Sequence, residues 1–454
     1  MMELMPYSRR DFAKTALALT TSGAAFAQRP NPVPEGPPNI LFILADDLGY
    51  GDLGCYGQQR IQTPNIDRLA AEGVKFTQAY AGSTVCAPSR CTLLSGKHTG
   101  HCATRGNRHP EIPVPMSDPT IAEVLKRVGY RTAIFGKWGL GGPETTSTPT
   151  ERGFDEFFGF LNHQHAHQAY PDHMWEGRVE TMLPKNWFYR KQQYVPDMFT
   201  DRTLKFIDRA SDKPFYVYLS QTVPHADNEL PGIEVPDQGI YVKESWPEIE
   251  KNFAASITRM DAGIGRILDL LKRKGLDQNT LVIFTSDNGP HKEGGHSAEF
   301  FASRGPLRGV KRDLYEGGIR VPALARWPGH IKAGAVSDAP WAFWDVLPTL
   351  AEVAGGSTPR GLDGVSFRRA LEGRAQAPHP HFYWEFHEGG FQQAVRDGDW
   401  KLVRQKPAMK DELFNLREDL GESRNVAGEH PEIVSRLSGL MKTSRVPSPW
   451  WPTA

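Results

Sequence analysis

The fold of this chain is constrained most by four predicted strands. Each strand is followed within a few residues by charged or amide side chains. The strands and the polar residues after them are 39–45 before Asp46 and Asp47, 131–135 before Lys137, 215–219 before His225, and 281–285 before Asp287 and Asn288. The apolar runs at 39–45 and 281–285 are typical of strands buried on both faces. One such pair is equally well explained as a helix cap or a turn, but four together favour a shared site, because ligands bind beyond the carboxyl ends of parallel strands.

Helical patterns alternate with these strands and complete the prediction of the fold class. They begin at Thr63-Pro64 and cover 120–128, 197–209 and 246–274. The sequence therefore predicts an α/β domain over residues 39–370, with a large, mostly parallel sheet flanked by helices. Beyond residue 370 short alternating segments replace this pattern, at 381–386, 392–396, 400–404 and 412–416, before a helix at 431–441. They predict a small C-terminal α+β subdomain over 371–454, made of antiparallel strands and one helix.

The first 27 residues predict an export signal. Residues 8–14 (SRRDFAK) resemble a twin-arginine motif, a weakly apolar stretch follows, and residues 25–27 (AFA) fit a cleavage site for a signal peptidase. A basic amphipathic helix is the alternative for this segment. The stretch is too short and too polar for a membrane span, and no other candidate span occurs. Residues 28–38 are rich in proline and predict a linker. From the signal at 1–27 we expect the twin-arginine translocase to export the protein to the periplasm or beyond.

Charge and cysteine content exclude two other classes of protein. The chain of 454 residues contains 53 Lys and Arg and 53 Asp and Glu, so no global charge favours nucleic acid as a partner. Four cysteines are too few for a disulfide framework. If Cys86 is chemically modified, at most one intrachain bridge can form among Cys55, Cys91 and Cys102.

The acidic residues at the rim predict a cation site. Asp46, Asp47, Asp287 and Asn288 offer only oxygen atoms, and their three carboxylates repel one another unless a cation neutralises them. Hard oxygen ligands favour calcium or magnesium over zinc. We expect calcium, because its flexible shell admits a further ligand and the substrate, with magnesium as the alternative.

Residues 86–90 (CAPSR) predict an anion site at the start of a helix. Proline is favoured at the first position of a helix, so Cys86 is expected at a helix N-terminus, where free backbone N–H groups face outward. Arg90 lies one turn further on and offers a planar fork of donors that suits a tetrahedral oxyanion. A buried structural cysteine is the alternative interpretation.

These motifs resemble those of the type I sulfatases, which belong to the alkaline-phosphatase-like superfamily, and the resemblance runs from Asn39 to the C-terminus. The matching motifs are Cys86 to Arg90, residues 39–49 with Asp46-Asp47, Gly136-Lys137-Trp138, Pro224-His225, Ser286-Asp287-Asn288-Gly289, and Lys311 four residues before Tyr315-Glu316-Gly317-Gly318. The resemblance implies a sulfuric ester hydrolase of the arylsulfatase type, acting on a sulfated carbohydrate or an aryl sulfate. It also implies that a formylglycine-generating enzyme oxidises Cys86 to formylglycine, the nucleophile.

The same resemblance assigns roles to individual residues. The ion is held by Asp46, Asp47, Asp287, Asn288 and the modified Cys86, and sulfate oxygens are bound by Arg90, Lys137, His225 and Lys311. Asp287 is the candidate base for the nucleophile, and His225 or Lys311 the candidate proton donor to the leaving alcohol. A thiolate at position 86 is a poor ligand for a hard cation, whereas a hydrated aldehyde is a good one, which also favours modification.

One departure from the family pattern concerns position 139, where glycine replaces the usual histidine. Histidines alternate at His163, His165 and His167, and on an extended segment His165 and His167 share one side. We expect one of them, His165 in preference, to occupy the space beside Gly139. A transition-metal site or a solvated loop are the alternatives for these histidines.

His296 and Arg304 lie near rim motifs and are candidates for contact with a sugar, although each is equally well explained as a surface residue. Two other functions remain open at this stage. One is a phosphate or phosphonate ester hydrolase of the same superfamily, and the other is a non-catalytic binding protein that keeps Cys86 unmodified.

Overall fold

The computed structural model describes residues 36–209, 212–228, 232–406 and 409–453. The predicted signal at 1–27 and most of the linker at 28–38 therefore lie outside the described residues. Among the helices of the described ranges, none combines the length and the apolar character needed to cross a bilayer.

An eleven-stranded sheet runs through the part of the chain that the structure describes. Its strands are β1 Asn39–Asp46, β2 Val74–Tyr80, β3 Arg131–Lys137, β4 Glu156–Phe160, β5 His173–Glu176, β6 Val179–Met182, β7 Phe215–Pro224, β8 Thr280–Ser286, β9 Arg320–Arg326, β10 Ala335–Ser337 and β11 Trp341–Ala342. The order is β10-β2-β9-β8-β1-β7-β3-β4-β5-β6, and β11 pairs with β2. The central strands β8, β1, β7, β3 and β4 are parallel, whereas β9, β5 and β6 are antiparallel to their neighbours. The predicted mostly parallel sheet is therefore confirmed.

Helices cover both faces of this sheet. They are α1 Pro64–Ala71, α2 Cys86–Ser95, α3 Ile121–Arg127, α4 Val195–Asp208, α5 Glu248–Arg273, α6 Glu316–Ile319, α7 Val346–Val353, α8 Arg368–Leu371 and α9 Pro431–Thr443. On β1, Leu41 and Ile43 share a core with α1, α4 and α5, whereas Phe42 and Leu44 share a core with α2, α3 and α7. Every residue of β1 is buried. A strand that is buried on both faces needs a continuous apolar run, and this run is what predicted β1 from the sequence.

The C-terminal region forms a second, antiparallel sheet of four strands: β12 Phe382–Phe386, β13 Gln392–Asp397, β14 Trp400–Arg404 and β15 Glu412–Asn415. Helix α9 covers one face through Leu437 and Met441. On the other face, Trp384 shares a core with Tyr80 and Ile319 of the large sheet region. The predicted antiparallel strands and closing helix are confirmed. The shared core packs this sheet against the large sheet region.

Strand β9 shows why part of the large sheet was missed from the sequence. All seven of its residues are buried, yet arginines occupy both ends and a proline interrupts the apolar pattern. The charge of Arg320 is paired with Glu316 at 3.1 Å, and that of Arg326 with Glu72 at 2.7 Å. Such pairing allows a strand to be buried without an apolar sequence.

Candidate active site

Four neighbouring parallel strands deliver the predicted side chains to one rim. Strands β8, β1, β7 and β3 lie side by side, and Asp287, Asp46, His225 and Lys137 stand at or just after their carboxyl ends. The turn after β1 depends on Asp47, which has a left-handed φ of 66°. This conformation is costly for a residue other than glycine, and it lets the Asp47 backbone N–H donate to Oδ1 of Asp287 at 3.0 Å.

Cys86 begins helix α2, which confirms the predicted helix N-terminus, although Pro88 occupies the third position of the helix and not the first. The thiol is fully buried. Its Sγ lies 3.6 Å from Nδ2 of Asn107, whose Oδ1 accepts a hydrogen bond from the Ala87 N–H at 3.1 Å. Burial raises the pKa of the Cys86 thiol. An unmodified Cys86 is therefore a neutral thiol and a weak nucleophile.

Arg90 ties the start of α2 to the rim. Its Nε and Nη2 donate to Oδ2 of Asp287 at 3.0 and 2.7 Å, and Nη2 lies 3.3 Å from Oδ2 of Asp46. Nη1 donates to the carbonyl of Lys137 at 3.1 Å and to the hydroxyl of Ser220. The guanidinium is thus held in one orientation without exposure to solvent.

Two lysines complete the group of cations. Lys137 donates to Oδ2 of Asp46 at 2.8 Å. Lys311 donates to Oδ2 of Asp47 at 2.8 Å, to Nε2 of His225 at 2.9 Å and to Oε2 of Glu293 at 3.0 Å. The first two of these contacts place Lys311, which precedes α6, beside residues that follow β1 and β7.

The tautomer of His225 follows from its neighbours. Nδ1 lies 2.5 Å from the carbonyl oxygen of Ala226, so Nδ1 carries the proton and donates. Nε2 then accepts from Lys311. Burial, together with Lys311 and His167, lowers the pKa of His225 well below its usual value. The imidazole is therefore neutral.

The carboxylates respond to burial in different ways. Burial acts to raise the pKa of Asp46, but Lys137 and Arg90 outweigh it and lower that pKa to about 2. At Asp47 burial raises the pKa to about 7, and at Asp287 to about 6, with neighbouring carboxylates adding to the rise at each. A cation among them would stabilise all three as anions.

Two oxygen atoms at this rim point to such a cation. Oδ1 of Asp46 and Oδ1 of Asn288 are buried and have no hydrogen-bond partner among the described residues, although nearly all buried polar atoms in proteins have one. The ligand atoms of Asp46, Cys86 and Asp287 lie within 4.8 Å of one another. The carboxylate and amide oxygens of this set, two of which lack a partner within the described ranges, fit a hard divalent cation such as calcium or magnesium, whereas a thiol at position 86 does not.

The histidines at 163–167 do not follow the expected extended pattern. Residues 165–167 form a 3₁₀ turn, so residues two apart no longer share a side. The ring of His167 stacks on His225 with centroids 4.1 Å apart. His165 instead packs against His173 at 4.4 Å. The preference for His165 at the space beside Gly139 was therefore wrong.

His163 takes the place beside Gly139. A Cβ built on Gly139 would meet the Cβ of His163 at 3.5 Å. His163 is buried, and its Nδ1 lies 2.7 Å from Oε1 of Glu111. The left-handed φ of 72° at Gly139 favours glycine at this position.

Of the other two candidates, His296 packs with its ring 5.1 Å from that of His291, which in turn lies 5.9 Å from the ring of His225. His296 is buried with Nδ1 2.7 Å from Oε2 of Glu250 and its ring stacked on Phe253 at 3.8 Å. Arg304 is partly exposed and interacts electrostatically with Glu299. The structure thus gives His296 a packing environment and leaves Arg304 on the surface.

Three residues of the site were not predicted from the sequence. Asn107 and Glu293 lie in irregular segments without a pattern, and only the contacts with Cys86 and Lys311 reveal them. Ser220 lies within β7, which extends five residues beyond the predicted end of that strand. The rule that polar residues follow strands points to Ser220 only with the predicted, shorter boundary, because the observed strand contains this residue.

Buried cations around a helix N-terminus, beside an oxygen set for a hard cation, define a hydrolase site for sulfuryl or phosphoryl esters. The comparisons distinguish these two ester types. The family model "Sulfatase" matches residues 38–357, and the model "N-sulphoglucosamine sulphohydrolase, C-terminal" matches residues 310–446. The chain belongs to the sulfatase family, a group of hydrolases that act on sulfate esters, within the alkaline-phosphatase-like superfamily.

Individual relatives agree with this assignment over most of the chain. Human arylsulfatase A is 34% identical, over 89% of this chain and 87% of that protein. N-acetylgalactosamine-6-sulfatase of Mus musculus is 32% identical, over 87% of this chain and 79% of that protein. The crystal structure of Ps i-CgsB in complex with k-i-k-neocarrahexaose superposes with a TM-score of 0.79 at 27% identity, covering 92% of this chain and 95% of that one.

Proposed function

We propose that this sulfatase removes sulfate from sulfated carbohydrates, using a formylglycine made from Cys86 and a calcium ion at the rim. One observation carries the proposal. The buried Cys86 lies at a helix N-terminus beside three buried cations and two unpartnered ligand oxygens. A neutral thiol explains neither the cations nor the oxygens, whereas a hydrated aldehyde beside a hard cation uses both.

Asp46, Asp47, Asp287 and Asn288 would hold the ion, with residue 86 as a further ligand. When bound, calcium supplies positive charge that polarises a sulfate oxygen and favours the ionised form of a hydroxyl. The formylglycine would supply a hydroxyl pair in place of the thiol at position 86. Its neighbour Asp287 already accepts from Arg90 and from the Asp47 backbone, so its carboxylate is fixed where it can take a proton.

Arg90, Lys137 and Lys311 are the donors for the sulfate oxygens. Each already makes a charged contact with a carboxylate, which fixes the position of its charge before substrate arrives. Each ammonium has three donors. Lys137 uses one of them on Asp46, whereas Lys311 uses all three on Asp47, His225 and Glu293 and would have to exchange one of these contacts for a sulfate oxygen. Donors fixed in this way stabilise developing charge without reorganisation, which is the largest single contribution in many hydrolases.

The proton for the leaving alcohol would come from the pair of Lys311 and His225. In the structure Lys311 holds the proton and points it at Nε2 of His225. Asp47 and Glu293 raise the pKa of Lys311 against the effect of burial. The ammonium is therefore the resting proton donor, and His225 is the group that orients it.

Carbohydrate is the substrate class that the relatives favour. One relative is named for N-acetylgalactosamine 6-sulfate, and a similar solved structure holds k-i-k-neocarrahexaose. On this basis we propose sulfated sugars as the substrates of this chain. Aryl sulfates serve as small substrates for assays.

The test of this function is a mass measurement joined to an activity ratio. We expect the peptide that contains Cys86 to be roughly 18 Da lighter than its sequence, since the thiol-bearing carbon becomes an aldehyde, a change outside the usual oxidation series of cysteine. We also expect faster turnover of an aryl sulfate than of the matching aryl phosphate. An unmodified peptide together with absent sulfate turnover would contradict the proposal, and preferred phosphate turnover would identify a phosphatase instead.

We further propose that the protein is exported through the twin-arginine translocase after modification by a formylglycine-generating enzyme. The basis is the sequence of residues 1–27, which lie outside the described residues. The intact mass of protein recovered from the periplasm is expected to correspond to a chain that begins at Gln28.

His167→Ala is expected to lower kcat on an aryl sulfate by about tenfold, with little change in KM. The stack of His167 on His225 at 4.1 Å fixes the ring that accepts a hydrogen bond from Lys311, and loss of one positioning contact in proton transfer has effects of this size. Steady-state kinetics provide the measurement, with His430→Ala, at a partly exposed histidine in the C-terminal region, as control. An effect on kcat no larger than that of His165→Ala would contradict this role.

A further inference from the structure

A loop at residues 186–193 presents three large aromatic side chains to solvent. Trp187 is 42% exposed, Phe188 83% and Tyr189 82%. Soluble proteins seldom expose adjacent aromatic side chains to this extent, and such patches commonly mark binding sites. The loop is not used by the reaction described above.

The backbone of this loop is strained at three positions. Phe188 and Tyr189 have left-handed φ values of 56° and 60°, and Lys191 has one of 49°. Bulky residues rarely adopt this conformation, at a cost of about 1–3 kcal/mol each. Strain of this kind clusters at sites that bind ligands.

Asn186 holds the loop in this shape. Its Oδ1 accepts from the backbone N–H groups of Gln192 and Gln193 at 3.0 and 2.7 Å. Its Nδ2 donates to the carbonyl oxygens of Pro171 and Gln193 at 2.8 and 2.9 Å. The aromatic side chains therefore stand on a closed and anchored loop.

The aromatic side chains help to line a cavity of about 770 Å³. Such a volume is typical of small-ligand sites. The same cavity is also lined by His165, Asp172, His173, Lys191 and Glu234. Aromatic faces and charged hydrogen-bonding groups thus surround the same space, a mixture that suits a ligand with apolar C–H faces and many hydroxyl groups.

This cavity shares two segments with the catalytic rim. His165 lines the cavity, and His167 in the same 3₁₀ turn stacks on His225. Asp227 lines the cavity two residues after His225. Asn228 joins the two segments by donating to Nδ1 of His167 at 3.4 Å. A ligand that reached from the rim into the cavity would therefore pass along the 165–167 turn.

We propose that the 186–193 loop and this cavity bind a pyranose ring of the carbohydrate from which sulfate is removed, a role that rests on the proposed function. Phe188 and Tyr189 stack against the C–H face of the ring. Asp172, Glu234 and His165 bond its hydroxyl groups. The site determines which sulfated sugar is accepted, because it recognises the leaving alcohol and not the sulfate.

The kinetic test compares a large and a small substrate on the full chain. The substrates are a carrageenan-derived sulfated hexasaccharide, a hexasaccharide bearing N-acetylgalactosamine 6-sulfate, and 4-nitrophenyl sulfate. For Phe188→Ala and Tyr189→Ala we expect the ratio of kcat/KM on the better hexasaccharide to that on the aryl sulfate to fall by about tenfold to a hundredfold. The control variant Val336→Ala, also exposed but on β10 at the opposite edge of the sheet, is expected to keep the wild-type ratio. An unchanged ratio in both loop variants would overturn the proposal.

A binding measurement separates this proposal from the proposed function. Calorimetric titration of the desulfated hexasaccharides into the Cys86→Ala chain requires no sulfatase activity. We expect binding that weakens by about tenfold when Phe188→Ala is added. Absence of binding overturns the sugar site even if sulfate esters are hydrolysed, whereas binding without hydrolysis by the wild-type chain supports the sugar site and contradicts the proposed function.

Discussion

Cys86→Ala is expected to abolish sulfate ester hydrolysis, lowering kcat by about four orders of magnitude or more, as removal of a nucleophile does in other hydrolases. The fold should persist. Among the described residues, Asn107 is the only hydrogen-bond partner of the Cys86 side chain, so the free energy of unfolding is expected to change by less than about 2 kcal/mol. The measurement is turnover of an aryl sulfate together with thermal unfolding of the same preparations.

Two further variants sharpen this test. Cys86→Ser returns an oxygen to the position but not a pair of hydroxyl groups on one carbon, so it too should be inactive. Cys55→Ala removes a partly exposed cysteine elsewhere and should keep wild-type turnover. Turnover near the wild-type level in Cys86→Ala would exclude residue 86 as the nucleophile.

Asp287→Ala is expected to eliminate both calcium binding and activity. Asp287 accepts two hydrogen bonds from Arg90, and an unpaired buried charge typically costs about 3–5 kcal/mol. The variant also loses one of the three carboxylate ligands, so that Asp46 and Asp47 are the carboxylates that remain to hold the ion. We expect wild-type protein to gain about 2.7 kcal/mol of stability at a calcium concentration of 100 Kd, and the variant to gain none.

The readout is thermal unfolding with and without calcium, together with metal analysis. Asp269→Ala removes a half-exposed carboxylate paired with Arg68 and serves as the matched control, with a wild-type response to calcium. Stoichiometric calcium in Asp287→Ala would remove this residue from the ligand set.

The rim of the sheet was predictable from sequence because two independent signals coincide there. Buried parallel strands have apolar sequences, and chain direction places their last residues on one edge. Asp46, Lys137 and Asp287 lie at or just after the ends of such strands, so their proximity needed no knowledge of loops. The structure adds that the strands β8, β1, β7 and β3 are neighbours in the sheet.

Contacts made by irregular segments were not predictable in this way. Histidines alternate with other residues at 163–167, as side chains do on one face of a strand. Residues 165–167 instead form a 3₁₀ turn, so the rings of His165 and His167 pack against different neighbours. The aromatic loop has no sequence pattern at all, since its shape depends on four hydrogen bonds to the single side chain of Asn186. Long-range closure of this kind is decided by tertiary packing and not by local preference.

The complete burial of Cys86 sets an order of events in the life of each chain. Within the described residues helix α2 is buried along its whole length, so the folded protein offers a modifying enzyme no access to this side chain. The oxidation proposed for residue 86 would therefore have to take place between synthesis and folding. Under that proposal a chain that folds first would keep its thiol and be inactive, so the active fraction of a preparation would depend on the relative rates of oxidation and folding.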